Sequence, residues 1–450
     1  MEPTLAKDAP VYNEEHPEDL QVDHLIAHSA ILMEADSGRV IFEKNAYDIM
    51  YPASTTKVMT LYLGIAMLDD LERAQAVTVS DQAMNIPDDS STMGLHAGEV
   101  ISYNDVLYGT MMLSGNDGAN VIAETVSGSV EAFVDLMNRA AGIMGCQNTH
   151  FVNAHGYHDD NHYTTAYDLA LMTREAMQLD LFRDIVATTS KTIGRTNISR
   201  ARTITTRSTI LLPGSEESPN KYYYPYATGV KTGFHSAAGY CYIGSASKDG
   251  VNLISVVLYT SNRGRWTDTK KLFDYGFSQY LSITPIELYN MNPITIETSN
   301  YSTSDADMGR VVLTCVAADS SGGVRITATR DEIDMMASNL RSTVLISYDR
   351  SFAAPVEAGE VMGTMTYFDD NGKNYDYYLI ASRSVNRREN APKTIDEIYA
   401  AALADPSVLP PMSFRLVLVL SIQVLALVIL VILIWLLVRL FRNRGFRFRK

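Results

Sequence analysis

Cysteine is scarce in this chain of 450 residues: Cys146, Cys241 and Cys315 stand far apart and in no paired spacing. An odd number of scattered thiols argues against a disulfide framework and against a thiol enzyme. Cys241 falls in an apolar strand pattern and reads as a small core residue. No internal repeat or low-complexity tract is present, which sets aside a repeat architecture. The start, Met1-Glu2-Pro3-Thr4-Leu5-Ala6-Lys7, lacks the basic and apolar regions of an export signal, and residues 1–24, rich in Glu, Asp and Pro, read as a flexible leader. Acidic residues are lacking at the other end: residues 411–450 hold seven basic residues and no acidic one, so of the overall formal charge of −15 the rest of the chain carries −15 − 7 = −22. An acidic body argues against nucleic acid or anionic lipid as a partner along its length.

What is present is enough apolar content, 46%, to bury substantial cores in two or three domains. Leu416 to Val438 is a run of 23 residues without a charge, long enough to cross a bilayer. Arg439, Arg442, Arg444, Arg447, Arg449 and Lys450 follow it, against Arg415 alone before it. That asymmetry predicts a membrane helix over 412–440, a cytoplasmic basic tail over 441–450, and everything earlier outside the cell. Export in that orientation needs a signal, so a signal peptide is expected to have been removed.

Three short polar clusters carry the chemistry: Ser54-Thr55-Thr56-Lys57, Ser114-Gly115-Asn116 and Lys231-Thr232-Gly233. Ser-x-x-Lys also occurs at Ser218 and Ser245, and Ser-x-Asn occurs four times, so context must decide. Ser54 opens the apolar stretch from Val58 to Leu68, read as a buried helix reaching about Leu71, with Lys57 at i+3 on the serine's face. A lysine in such a setting loses solvation, its pKa falls, and the neutral amine can accept a serine proton. Ser218 lies in a Pro/Glu loop and Ser245 near the Lys248-Asp249-Gly250 turn, neither of which offers this environment.

Ser114-Gly115-Asn116 separates two amphipathic runs and so sits on a loop between helices, where a hydroxyl can relay a proton and an amide can hold a carbonyl. Lys231-Thr232-Gly233 occurs once, in a glycine-flanked strand pattern followed by a hairpin with the Lys248-Asp249-Gly250 turn. An edge strand of that kind can pair with an extended peptide while its lysine and threonine meet a carboxylate. Arg265, just beyond, is a candidate bidentate partner for the same carboxylate.

At this point the chain resembles the penicillin-interacting D-alanyl-D-alanine carboxypeptidases, the low-molecular-mass penicillin-binding proteins. The blocks that carry the resemblance are Pro52 to Met59, Met112 to Ala119, Asn153-Ala154-His155-Gly156-Tyr157, His162 to Ala170 and Gly229 to Phe234, over about Ala27 to Tyr280. The resemblance implies an α+β fold like that of β-lactamases and transpeptidases, and a hydrolase that acts on peptidoglycan stem peptides ending in D-Ala-D-Ala and is acylated by β-lactam antibiotics. It implies Ser54 as nucleophile, Lys57 as general base, and Ser114 with Lys231 as proton relay. Asn116 would orient the peptide carbonyl, Thr232 and Arg265 the terminal carboxylate, and Gly233 would lie in the substrate-binding strand. The backbone N–H groups of Ser54 and Phe234 would form the oxyanion hole. No cofactor and no metal is called for. The chain departs from the family in the stretch before Lys231, where Thr206 to Leu212 and the run Tyr222-Tyr223-Tyr224-Pro225-Tyr226 stand; these tyrosines either line the cleft or pack in an ordinary loop.

The coarse organisation follows. Ser29–Glu34 and Val40–Phe42 form an opening hairpin, the middle to about 185 is helical, and strands over 228–259 return to that hairpin under a helix from Trp266 to Tyr280. A catalytic domain over 25–283 is expected to precede a small all-β domain over 284–385, then a linker with a short helix over 386–411. His155, His158 and His162, with Asp159 and Asp160, match no standard zinc spacing and read as a loop near the cleft. Asp369-Asp370-Asn371-Gly372 reads as a hairpin turn rather than a calcium loop.

Two rival functions remain. A β-lactamase would need a base for rapid deacylation, and no Glu-x-x-Leu-Asn segment occurs. A penicillin-sensing receptor would need a signalling domain behind the membrane, for which the basic tail leaves no room.

Overall fold

A computed structural model of the chain describes residues 3–6, 9–69, 75–319, 324–369 and 372–404. They divide into two compact units, the first comprising 1–292, 319–345 and 366–376, the second 293–318, 346–365 and 377 onward.

The first unit begins with β1 (Ser29–Glu34) and β2 (Val40–Lys44), antiparallel with Ile31 opposite Glu43. A helical lobe follows: α1 (Lys57–Ala66), a small hairpin of β3 (Ala76–Thr78) and β4 (Val100–Ser102), then α2 (Tyr103–Met112), α3 (Asn116–Ser127), α4 (Val130–Ile143), α5 (Ala166–Ala176) and α6 (Asp180–Ala187). A second small hairpin, β5 (Ser190–Ile193) with β6 (Arg202–Thr205), leads to the long strands β7 (Ala227–His235), β8 (Gly239–Lys248) and β9 (Val251–Thr260). These complete an antiparallel sheet in the order β2-β1-β9-β8-β7, which leaves β7 on an edge. The expected return of the later strands to the opening hairpin is met by β1 against β9, with Ile31 opposite Val256. The β8–β9 turn has two residues, Asp249 and Gly250, both at positive φ, as a tight hairpin requires.

Every residue of β1 is buried, because both sheet faces are covered. Ile31 and Met33 point into the helical lobe, while Ala30 and Leu32 point toward α7 (Gly264–Gln279), which packs Trp266, Leu272 and Phe273 on the opposite face. Strand side chains alternate with period two, so a strand between two layers reads as an unbroken apolar run. Fully burying a side chain such as Leu32 contributes roughly 1.5–3 kcal/mol.

Several expectations are corrected here. The helix after Ser54 stops at Ala66, with Met67 as its C-cap; Leu68 still packs on the core, so apolarity there marks burial without marking helix. The leader is folded from about Pro17: Pro17–Asp19 and Val22–His24 form 3-10 turns, Leu20 and Leu25 are buried against α7, and Lys271 donates to the His24 carbonyl at 2.7 Å. Tyr224 is buried behind the sheet against Phe273, its hydroxyl donating to Asp274 at 2.8 Å, so its place is the core and not the cleft.

Region 284–385 is not all-β. It contains α8 (Pro285–Met291), α9 (Arg330–Ser338) and the short α10 (Leu340–Thr343), and β13 (Ile326–Thr329) pairs with β10 (Tyr280–Ile283) of the first unit. Thr284 with Glu287 and Thr329 with Glu332 form capping boxes that start α8 and α9. The second unit holds most of the residues of a five-stranded sheet in the order β11-β12-β16-β15-β14, from β11 (Thr295–Glu297), β12 (Arg310–Ala317), β14 (Val344–Tyr348), β15 (Val361–Phe368) and β16 (Asn374–Ala381). It ends with α11 (Ile395–Ala404), the short helix expected in the linker. Among the described residues no helix is long and apolar enough to cross a membrane; the span expected over 412–440 and the basic tail lie outside the described residues.

Candidate active site

The first cluster lies on a 3-10 turn, Ala53–Thr56, directly before α1. Ser54 therefore precedes the α-helix by one turn and Lys57 is its first residue, a small shift from the expected placement. Ala53, directly before Ser54, has φ +49°, unusual for a residue with a Cβ. Lys57 is fully buried, and its Nζ lies 3.1 Å from Ser54 Oγ, 2.7 Å from Asn116 Oδ1 and 2.7 Å from the His155 carbonyl oxygen. Burial first, then the Lys231 and Arg207 charges, hold its pKa well below the ordinary lysine value, with Asp117 opposing them. A neutral amine has two hydrogens and one lone pair. In that form the amide and peptide oxygens, which can only accept, take both hydrogens and leave the lone pair for Ser54; in the ammonium form the third hydrogen goes to Ser54 Oγ.

The second cluster forms the loop between α2 and α3, as expected, with Asn116 the first residue of α3. Ser114 has φ +62° and is buried. Since Asn116 Oδ1 receives the lysine, its Nδ2 is the donor, and it reaches Ser90 Oγ at 3.1 Å. The next residue, Asp117, is fully buried and accepts the backbone N–H groups of Met93, Gly94, Leu95 and Gly118 at 2.9 to 3.1 Å. This carboxylate fixes the 90–95 loop against the cluster. Charge-assisted bonds of this sort are the strong ones.

The third cluster lies on the edge strand β7. Lys231 Nζ donates to Ser114 Oγ at 3.0 Å and to the Thr232 carbonyl oxygen at 2.8 Å. Its pKa is lowered to about 7 by burial, with the Arg207 and Arg265 charges adding to the effect. Gly233 is needed for close approach, since a Cβ there would stand 3.0 Å from the Pro52 carbonyl oxygen and 3.3 Å from the Ala53 Cβ. Strand and nucleophile turn thus meet at a position that only glycine fills without displacement. Phe234 is 55% exposed and stacks on Tyr240 at 4.3 Å between ring centroids.

Ser54, Lys57 and Asn116 are joined by hydrogen bonds, and Ser114 to Lys231 likewise. Arg265 stands apart from that network. It lies at the start of α7, its guanidinium over the Tyr240 and Trp266 rings at 4.9 and 4.6 Å, donating to Asn262 Oδ1 at 2.8 Å. Its Nε is buried without an acceptor. The rival serines are elsewhere: Ser218 bonds within its own exposed turn, and Ser245 lies buried on β8 against Thr228.

Two further residues of the site, Arg207 and His155, were given no role by the sequence, although His155 lies in a loop read as near the cleft. Arg207 donates to Ser91 Oγ at 2.8 Å and lowers the pKa of both lysines by its charge. His155 is buried, its Nδ1 accepting the Tyr157 N–H, and burial followed by the Lys57 charge drops its pKa to about 3. His162 is buried on a different set of partners and His158 lies at the surface near Tyr51 and Asp160, so the three histidines do not converge. Among the described residues no group of His, Cys, Asp and Glu is placed to hold a metal ion.

Residues 14–262 match the family described as D-alanyl-D-alanine carboxypeptidase. The chain is 33% identical over 257 residues to D-alanyl-D-alanine carboxypeptidase DacF of Bacillus subtilis, covering 56% of this chain and 63% of that protein. It is 30% identical over 357 residues to D-alanyl-D-alanine carboxypeptidase DacC of Escherichia coli K12, covering 78% and 82%. Among solved structures it is similar to penicillin binding protein 5 from Haemophilus influenzae, with a TM-score of 0.53 and 27% identity over 81% of this chain and 98% of that one. It is also similar to the Streptomyces K15 DD-transpeptidase, with a TM-score of 0.51 and 28% identity over 56% and 97%. With the serine, lysine and edge-strand geometry in place and more than half of the chain matched, this protein belongs to the D-alanyl-D-alanine carboxypeptidase family of serine peptidases.

Proposed function

We propose that the protein removes the terminal D-alanine from peptidoglycan stem pentapeptides through an acyl-enzyme on Ser54, and that penicillins acylate the same serine. The observation that carries the mechanism is the environment of Lys57 Nζ, whose two oxygen acceptors leave its lone pair for the Ser54 hydroxyl. The substrate extends along the open edge of β7, with its terminal carboxylate at Thr232 and Arg265. Asn116 has a second Nδ2 hydrogen for the peptide carbonyl.

Ser54 Oγ attacks the carbonyl carbon of the penultimate D-alanine while Lys57 takes the hydroxyl proton. The N–H groups of Ser54 and Phe234 receive the oxyanion. Ser114 passes a proton to the departing amine and is replenished from Lys231, the C–N bond breaks, and free D-alanine leaves. Water then attacks the ester, with the lysine and serine groups again moving the proton, and Ser54 is regenerated.

The uncharged run Leu416–Val438 and the cations behind it support a single-pass anchor, a cytoplasmic tail and an extracytoplasmic Ser54 facing the wall. In that arrangement the β-rich region over 284–385 and the linker over 386–411 act as a spacer between bilayer and cleft. The test is mass spectrometry of peptidoglycan fragments ending in D-Ala-D-Ala after incubation with the protein and with Ser54→Ala. Loss of one alanine and a penicilloyl adduct on Ser54 are expected only for the unsubstituted chain; identical products from both would overturn the reading.

A further inference from the structure

The backbone just before the nucleophile is held in an unfavourable conformation, and the device that holds it lies outside the reacting groups. Ala53 has φ +49°, a region that residues with a Cβ avoid because the side chain crowds the following carbonyl. Such a conformation persists only where its surroundings over-determine it. Here the Ala53 carbonyl oxygen accepts the Thr56 hydroxyl at 2.8 Å. The Thr56 Oγ1 in turn lies 2.8 Å from His162 Nε2, and His162 Nδ1 accepts the Val152 N–H at 3.1 Å.

This chain has one consistent assignment of hydrogens. A backbone N–H only donates, so Nδ1 is the bare nitrogen and the single imidazole proton sits on Nε2. That proton goes to Thr56 Oγ1, which frees the threonine's own hydrogen for Ala53. His162 is only 2% exposed and Thr56 1%, so both are shielded from bulk solvent. Burial, against a weaker pull from Asp159, drops the imidazole pKa to about 3, in keeping with a ring that stays neutral. Gly156 closes the turn from the other side, at φ +85°, where a Cβ would stand 1.9 Å from the Ala53 oxygen and 2.7 Å from Thr56 Oγ1.

We infer that Thr56 and His162 are positioning residues for acylation: the relay from the Val152 amide through His162 and Thr56 to the Ala53 carbonyl pins the strained turn that aims Ser54. Neither residue touches the substrate. The relay acts on the orientation of the Ser54 hydroxyl relative to Lys57, so its loss shows in the chemical step and not in ligand capture. The inference rests on the acyl-enzyme reading of Ser54.

The test follows acylation of the full chain by a fluorescent penicillin, resolving the limiting acylation rate, the dissociation constant of the initial complex and the final labelled fraction. Thr56→Val keeps the shape and removes both bonds, and should slow acylation on the order of 100-fold in the labelled fraction with the dissociation constant within about threefold. Thr56→Ser keeps the hydroxyl and should restore the rate to within about threefold. A purely structural role would lower the labelled fraction and leave its rate unchanged, which would overturn the inference, as would a Thr56→Ser variant as slow as Thr56→Val. If Thr56→Val does not fold, His162→Leu and His162→Gln repeat the comparison, since only glutamine offers Thr56 a donor; equal rates for the two would overturn it. No labelling of Ser54 in the unsubstituted protein would sink the acyl-enzyme reading itself.

Discussion

Lys231 Nζ meets Ser114 Oγ across 3.0 Å, a contact between residues 117 positions apart that ties the edge strand to the loop of the helical lobe. The lysine is 2% exposed and among the described residues no carboxylate forms an ion pair with it; its hydrogen-bond acceptors are a hydroxyl and a peptide oxygen. Such a site is held at a cost to folding, because a cation without a counter-charge is buried there.

Lys231→Met should therefore raise stability and abolish turnover. The folded pKa is about 7 against an ordinary value of 10.5, so between those pH values the unfolded chain binds a proton that the folded one does not. The unfavourable contribution is complete below pH about 7 and fades as pH rises from 7 toward 10.5. Urea unfolding at pH 6.5 should show a gain of roughly 1–4 kcal/mol for the methionine variant. The gain should shrink by pH 9.5, and an equal gain at both pH values would show that charge burial is not its cause.

Asp117 is the strut of the site. Its oxygens receive the N–H groups of Met93, Gly94, Leu95 and Gly118, so Asp117→Ala leaves buried donors unpaired. A loss of about 3–5 kcal/mol is expected, from several hydrogen bonds to a charged acceptor at about 1.5–3 kcal/mol each, partly regained by relaxation of the loop. Hydrogen exchange should rise at Met93 to Leu95 first, because Ser90 and Ser91 are drawn to Asn116 and Arg207 through the same loop.

The contrast between Lys231 and Asp117 shows what sequence can carry. Lys231 was legible because its meaning is local: a lysine between glycines on a strand that begins a hairpin, with the two-residue turn at Asp249 and Gly250 marking the register. Asp117 also sits in a recognisable cluster, but apart from the adjacent Gly118 its partners lie 22 to 24 residues away on a segment without periodicity. Arg207 is reached only through folding of the β5–β6 hairpin against α2, where its N–H meets the Met112 carbonyl oxygen at 3.2 Å. The tyrosine run illustrates the same limit, since a buried aromatic and a cleft-lining one have the same composition. Helices α8 and α9 are the opposite case. Their capping boxes, Thr284 with Glu287 behind Pro285 and Thr329 with Glu332, are local signals that the surrounding β-rich pattern outweighed.

Gly156→Ala should disable the enzyme from outside the three motifs. A Cβ at this position would fall 1.9 Å from the Ala53 oxygen, and backbone atoms on a strained turn cannot yield without moving Ser54. The positive φ of +85° adds a conformational penalty of roughly 1–2 kcal/mol for alanine. Penicillin labelling should fall at least 100-fold, together with a lowered thermal midpoint. Gly128→Ala, also at positive φ but with no atom within 4 Å of its Cβ, is the control and should lose stability alone.

Arg207→Gln should shift the pH dependence of acylation. The guanidinium lowers the pKa of Lys57 and of Lys231, so removing its charge raises both. Lys57 must be neutral to accept the Ser54 proton, and a higher pKa means that neutrality is reached only at higher pH. The acid limb of the acylation rate should therefore move to higher pH, with a lower rate at pH 7. Arg207→Lys retains the charge and should leave the limb in place, even if the bond to Ser91 Oγ is weakened. Because the side chain is solvent-exposed, salt should screen its effect, so the gap between the glutamine variant and the unsubstituted protein should narrow at 1 M ionic strength, where the Debye length is about 3 Å. A limb that stays fixed in Arg207→Gln at low salt would mean that burial alone sets the lysine.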